Sequence, residues 1–366
     1  MRIAFVHYPG RIARIDAARA GTAPTEFLFG AVELERAGHD VRHYEVDPRE
    51  PASPLSRRAV DRLAGLGHLP PHLAATVLRQ TRALLPELRD ADVVVATTTG
   101  TAVALAAWRR GGLLRRPLVG IVAGLLNRPW RWTRRLTTLP LLHAMHAVLY
   151  GPGEEPGLVA LDGRLRGRVH VVPFGVDTRF WTPGGTAATG EVLAIGNDGH
   201  RDWGTLVAAA ERLAAPVRVL TRHPRPRRLP ANVSWQEADW HEQLLSDREV
   251  RDRYRRAAAV AVPVRDVPQP SGQSVTLQAM ACARPVVLTR TRGLWEPEAL
   301  RDGENVVLVP PEDPDALAEA LSGLLSDAER ADAIGARARE QVVAGASVEV
   351  YARRLLAVCR IAAERG

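Results

Sequence analysis

The chain has 366 residues, 46% of them hydrophobic, with 49 basic and 41 acidic side chains and a formal charge of +8. That length exceeds one ordinary core and implies two domains of roughly 170 residues each, while two distant cysteines, Cys282 and Cys359, exclude a disulfide framework and a cysteine zinc site. No apolar run reaches the ~18 residues that span a bilayer, Met1–Val6 reads as a strand rather than a leader, and the arginines are spread through both halves without a nucleic-acid-binding motif, so a cytoplasmic protein with no nucleic-acid partner is expected.

Arg2–His7 is a short apolar run of buried-strand type, followed by the loop Pro9-Gly10-Arg11. Pro24–Ala37 reads as a helix with proline near its start, and Val41–Val46 as the next strand. Strand, helix and strand with short connections form the pattern of a parallel, doubly wound sheet. Asp92–Thr97, Leu118–Ala123, Ala147–Tyr150 and Arg168–Pro173 supply further strands. From Val93 to Gly153 there is no acidic residue, while Arg109, Arg110, Arg115, Arg116, Arg128, Arg131, Arg134 and Arg135 lie among Trp108, Leu113, Leu114, Trp130 and Trp132. Trp108–Arg135 reads either as a face for an anionic membrane or acidic acceptor, or as an ordinary solvated surface.

Pro183-Gly184-Gly185 reads as linker, after which the pattern restarts. Val192–Ile195, Val217–Leu220, Val233–Trp235, Ala259–Val264, Val286–Leu288 and Val306–Val309 are strands, and Trp203–Leu213 and Val275–Cys282 are helices. Asp315–Leu324, Asp327–Ala344 and the amphipathic Val348–Glu364 complete the helices. Pro268–Ser274 is a polar turn between a buried strand and a helix, and it directs the unpartnered first-turn amides of that helix at an anion, with phosphate the natural ligand. No lysine occurs anywhere, so any side-chain cation on a phosphate must be arginine's planar fork.

Gln278-Ala279-Met280-Ala281 followed by Pro285-Val286-Val287, with Val171–Asp177 before and Arg301–Asn305 after, resembles the retaining glycosyltransferases of family 4. Their pattern is Glu-Gly-Phe-Gly, four residues, Glu-Ala-Met-Ala, a variable residue, Gly, a variable residue and Pro-Val. Here Pro270 stands for the first glutamate, Gln278 for the second and Ala283 for the glycine. Many relatives also carry a histidine after a middle strand of the first domain, where this chain has Gly124-Leu125-Leu126-Asn127.

The resemblance implies an α/β protein of GT-B fold, two doubly wound Rossmann-like domains facing across a cleft. Residues 1–180 would form the acceptor-side domain, 181–345 the nucleotide-sugar domain, and 346–366 a helix packing back on the first. It implies transfer with retention from a nucleotide-diphosphate sugar, UDP-sugar foremost, to a small-molecule, glycan or lipid acceptor, with no metal and no cofactor besides the donor. Because two sugar contacts depart together, another nucleotide-sugar chemistry (epimerisation or non-glycosidic coupling) and a non-catalytic nucleotide-sugar-binding subunit stay open. The location expected is cytoplasmic or peripheral at the inner face of the membrane.

By position, Arg201 takes the place of a family lysine and Asn197 that of an arginine. Arg201, Gly272, Gln273 and Ser274 are the catalytic candidates. Gly10, Asn197, Thr221, Arg222, Glu237, Ala238, Ser271, Val275 and Gln278 join them in donor binding, and Arg11, Thr25 and Glu26 lie on the acceptor side. Arg201 either contacts phosphate or pairs with Asp198 or Asp202. Gln278 either accepts from ribose or is a plain helix residue.

Overall fold

The computed structural model describes residues 1–49, 54–70, 72–127, 130–185, 188–238 and 245–365; Arg128 and the last residue of the 346–366 segment lie outside them. Two compact units emerge, one of Met1–Ala20, Thr25–Pro173 and the residues from Tyr351 onward, the other of Phe174–Val350 with Gly21–Pro24.

The first unit holds strands β1 (Arg2–His7), β2 (Asp40–Glu45), β3 (Val93–Ala96), β4 (Leu118–Ile121), β5 (His146–Leu149) and β6 (Val169–Val171). They form an all-parallel sheet in the order β2-β1-β3-β4-β5-β6. The second unit repeats the plan with β7 (Val192–Ile195), β8 (Val217–Leu220), β9 (Val233–Gln236), β10 (Ala259–Val262), β11 (Val286–Thr289) and β12 (Val307–Val309). Its order is β12-β11-β10-β7-β8-β9, again all parallel. Strands covered by helices on both faces bury both rows of side chains, which is why β3, β7 and β10 are continuous apolar runs rather than alternating ones.

Both faces of the first sheet are core. One is packed by the helix Thr99–Arg110, whose Ala102, Val103, Leu105 and Ala106 are buried. The other receives the last helix, Val348–Arg365, through Tyr351, Leu355, Val358 and Cys359 against Ile3, Phe5 and Val95. In the second unit, Trp203–Ala210 and Pro314–Ser326 lie on one face of the sheet.

Two expectations need correction. Pro24–Ala37 is not one helix: a single 3-10 turn, Glu26–Leu28, is separated from the helix Ala31–Arg36 by Phe29 and Gly30, both left-handed with φ 56° and 77°. The cause is tertiary, since a Cβ on Gly30 would lie 3.0 Å from the Cβ of Ala352 on the last helix. Nor is Trp108–Arg135 one face. Arg134 is buried and donates to the carbonyls of Leu69 and Ala64, Trp108 donates to Thr81, and Trp130 to the Leu125 carbonyl. Because Thr99–Arg110 runs from the end of β3 to the start of β4, exposed Leu113 and Arg115 lie at the N-terminal strand ends. Exposed Trp132 opens the helix Trp132–His143, which leaves from the C-terminal ends. Among the described residues no helix is long and apolar enough to cross a membrane.

Candidate functional site

In the second sheet the strand order reverses at β7, which has β8 on one side and β10 on the other. Successive loops therefore leave β7 and β10 in opposite directions and open a crevice beyond the C-terminal strand ends, the place where doubly wound sheets hold ligands. The loop after β7 carries Asn197 to Arg201, and the loop after β10 carries Ser271 and Gly272.

The two loops are fastened to each other. Arg201 pairs as an isolated bridge with Val264, the Arg265 amide donates to His200, and the Asp202 amide to Pro263. The Ser271 hydroxyl donates to Asp198 Oδ1 at 2.5 Å, and Arg201 Nε lies 2.9 Å from Asp198 Oδ2. Burial pushes the Asp198 carboxyl up, but the Arg201 guanidinium, the Ser271 hydroxyl and the His200 amide outweigh it, and the net pKa is below the ordinary carboxylate value. Arg201 thus makes one of its two alternative ion pairs, with Asp198, while Asp202 caps the helix Trp203–Ala210 by accepting from the Thr205 amide and hydroxyl.

The rest of the guanidinium is not spent on that pair. Its side chain is 3% exposed and its buried Nη1 has no hydrogen-bond partner among the described residues. A Cβ on Gly196 would meet Arg201 Nε at 1.9 Å, and one on Gly272 would meet Nη1 at 3.0 Å. The missing side chains of Gly196 and Gly272 leave room for the group. Gly272, left-handed at φ 76°, is also the N-cap of the helix Gln273–Ala281, so Nη1 sits beside that helix's first-turn amides. A buried cationic donor without a partner costs free energy unless something occupies it, and the adjacent positive helix end selects an anion.

A second cluster lies at the ends of β7, β8 and β9. Asn197 accepts from the Arg222 amide at 2.7 Å and donates to the Ala238 carbonyl at 3.0 Å, and the Thr221 amide and carbonyl bond Gln236 and Ala238. Asn197 is therefore a staple across three strand ends. Thr221 is fully buried, whereas Arg222 and Glu237 are exposed. Within the helix, Gln273, Val275 and Gln278 are buried and Ser274 is half-buried. Gln278 accepts at Oε1 from the Tyr254 hydroxyl at 3.3 Å, a core contact that engages the oxygen assigned to ribose.

The remaining candidates belong to the first unit. Gly10 is exposed with φ 82°, and Arg11 stacks over Phe27 at 5.2 Å. Thr25 and Glu26, expected to face an acceptor, are buried instead, and the Thr25 hydroxyl donates to Glu33 at 2.7 Å. Glu154 was not anticipated. Its buried carboxylate accepts from the amides of Gly124 at 3.1 Å and Leu126 at 3.5 Å, tying down the loop that lacks the family histidine. Burial raises its pKa against those amides. The only hint in sequence was an acidic residue directly after an acid-free stretch.

Residues 192–327 match the family model described as Glycosyl transferases group 1. Alpha-maltose-1-phosphate synthase of Mycobacterium tuberculosis H37Rv is 30% identical over 232 residues, 55% of this chain and 58% of that protein. D-inositol 3-phosphate glycosyltransferase of Kineococcus radiotolerans is 40% identical over 132 residues, 32% of this chain and 29% of that protein. The chain thus spans at most little more than half the length of these curated relatives. Among solved structures, sucrose-phosphate synthase from Thermosynechococcus elongatus superposes with a TM-score of 0.72 at 17% identity, covering all of both chains. Anabaena HepE in complex with UDP-glucose superposes with a TM-score of 0.64 at 15% identity, covering 100% of this chain and 99% of that one. Residues 192–327 are thus similar to the glycosyl transferases of group 1, and the chain that carries them has the GT-B fold.

Proposed function

We propose that the protein is a retaining glycosyltransferase that takes a sugar from a nucleotide-diphosphate sugar, UDP-sugar foremost, and passes it to a hydroxyl acceptor. The observation that carries this is the buried Nη1 of Arg201, without a hydrogen-bond partner among the described residues and set between Gly196 and Gly272, at the reversal point of a nucleotide-binding type of sheet. As the glycosidic bond breaks, negative charge accumulates on the departing diphosphate. A cation and amides already fixed in place stabilise that charge without reorganising. Asp198 holds the guanidinium by Nε and leaves Nη1 for phosphate. The amides of Gln273, Ser274 and Val275 face the same group.

No glutamate stands at either motif position, since Pro270 and Gln278 occupy them, so a covalent sugar–enzyme intermediate built there has no nucleophile. Departure and attack on one face remain, with the leaving phosphate oxygen accepting the acceptor's proton. Transfer proceeds without a metal. UDP as the donor nucleotide is supported by HepE, solved with UDP-glucose. On the surface, the exposed face of Trp132–His143 provides contact with an anionic membrane that brings the enzyme to a lipid or glycan acceptor.

Arg201→Ala removes a charge-assisted contact worth about 1.5–3 kcal/mol, so UDP affinity measured by calorimetry falls roughly 10- to 150-fold. Unchanged affinity overturns the assignment. In the same preparation the product anomer keeps the donor configuration by NMR and the rate survives EDTA; an inverted anomer or strict metal dependence defeats the mechanism even if UDP binds.

A further inference from the structure

A second basic site lies at the other ends of the strands, in the first unit. His146 opens β5 and His170 lies in the neighbouring β6, with Val148 paired to His170 in register. His146 Nδ1 and His170 Nε2 are 2.9 Å apart and the rings stack with centroids 5.2 Å apart. His146 is two residues from Val148 and shares its face, the one covered by the last helix. From the end of that helix Arg365 reaches the Gly167 carbonyl at 3.4 Å. Arg168 precedes β6, and Arg109, ending Thr99–Arg110, donates to the Arg116 carbonyl.

The groups acting electrostatically on His146 are His170, Arg168, Arg365 and Arg109, and every one is basic. Burial first, and these groups second, push its pKa down to about 4. Burial and Arg365 lower His170, and burial and Arg168 lower Arg109. Among the described residues no carboxylate acts on His146, His170 or Arg109. Beside Arg109 a groove of about 680 Å³, lined from Gly112 to Arg116 and by Arg89, also contains no acid. Gathered cations without a countercharge destabilise one another, and an anion on them reverses the sign of the interaction.

We infer that His146, His170, Arg109, Arg168 and Arg365 form a binding site for a phosphate-monoester dianion. Arginine forks supply paired donors to its oxygens. When empty, the two neutral imidazoles share one N–H between their facing nitrogens, and the pair takes up one further proton, on an outward ring nitrogen, when the dianion neutralises the surrounding charge. Binding is therefore proton-linked, tighter at low pH. The site belongs to the unit that lacks the Arg201 loops.

Inorganic sulfate tests this in the full chain, because it stays a dianion from pH 5 to 8 and any pH dependence reports the protein. Saturable shifts of the two imidazole resonances are expected, with raised histidine pKa values and an affinity that falls about tenfold from pH 5 to 8 by linkage. Inorganic phosphate competes for the same shifts. His170→Gln flattens the pH dependence and Arg168→Ala weakens sulfate about tenfold, while both variants keep the wild-type UDP response, which shows them folded. In the Trp132→Ser, Leu136→Ser background, which lacks the proposed membrane face, vesicles of phosphatidylglycerol leave the resonances unmoved. Shifts equal to those from chloride at matched ionic strength, pH-independent affinity, or a response to vesicles in place of sulfate would each overturn the proposal.

Discussion

Ala283 ends the helix Gln273–Ala281 with φ 56°, a backbone region that suits glycine. Its amide bonds Met280 and the Arg284 amide bonds Ala279, which is the double C-terminal closure that normally places glycine there. The departure from the family's glycine is thus paid as strain while the closure itself is kept. Ala283→Gly is expected to stabilise the second unit by about 0.5–1 kcal/mol, raising its melting midpoint by roughly 1–4 °C. A lower midpoint in scanning calorimetry contradicts this. Residue positions were legible here in chemistry but not in partnership. Arg201, Gly272 and Asn197 could be singled out by their place after a strand, yet the Ser271–Asp198 bond joins residues 73 apart and the Tyr254–Gln278 bond joins a separate helix. Neither leaves a trace in local pattern.

At the scale of elements, Trp132–His143 exposes Trp132 at 74% and Leu136 at 65%, one turn apart and flanked by exposed Arg131 and Arg135. Burying each apolar side chain in a membrane interface gains about 1.5–3 kcal/mol, and each arginine near anionic lipid about 1 kcal/mol. Trp132→Ser with Leu136→Ser should therefore lower co-sedimentation with phosphatidylglycerol vesicles at least tenfold, and high salt should weaken the wild type. Equal binding by wild type and variant removes the membrane from the proposed function. All twelve strands were readable as short β-branched runs between turn residues. Several helices were not. Thr99–Arg110 is buried nearly all round and lacks an amphipathic period, and Trp132–His143 contains Pro140. Asp247–Arg256 went unread as well, although its Ser246–Glu249 capping box stands openly in the sequence. The break at Phe29–Gly30 answers to Ala352, more than 300 positions away in the chain.

For the whole molecule, the last helix matters most. Tyr351, Ala352, Leu355, Val358, Cys359 and Ala362 fill one face of the first unit's core. Removing residues 351–365 exposes that face and costs on the order of 8 kcal/mol, comparable to the entire stability of a domain. The truncated chain should lose slow-exchanging amides in β1, β3 and β4 while those in β7, β10 and β11 persist; protection in both sets would show that the helix is dispensable. The same arrangement bears on how the protein is made. Domains usually complete themselves in order of synthesis, first one first. Here the strands β1–β6 wait for the helix Val348–Arg365, which is made after Phe174–Val350, before one face of their sheet is covered, whereas Phe174–Val350 holds nearly everything its own core needs once it has emerged. The nascent chain therefore completes its second unit before its first, with an apolar sheet face left open until Val348–Arg365 has been made.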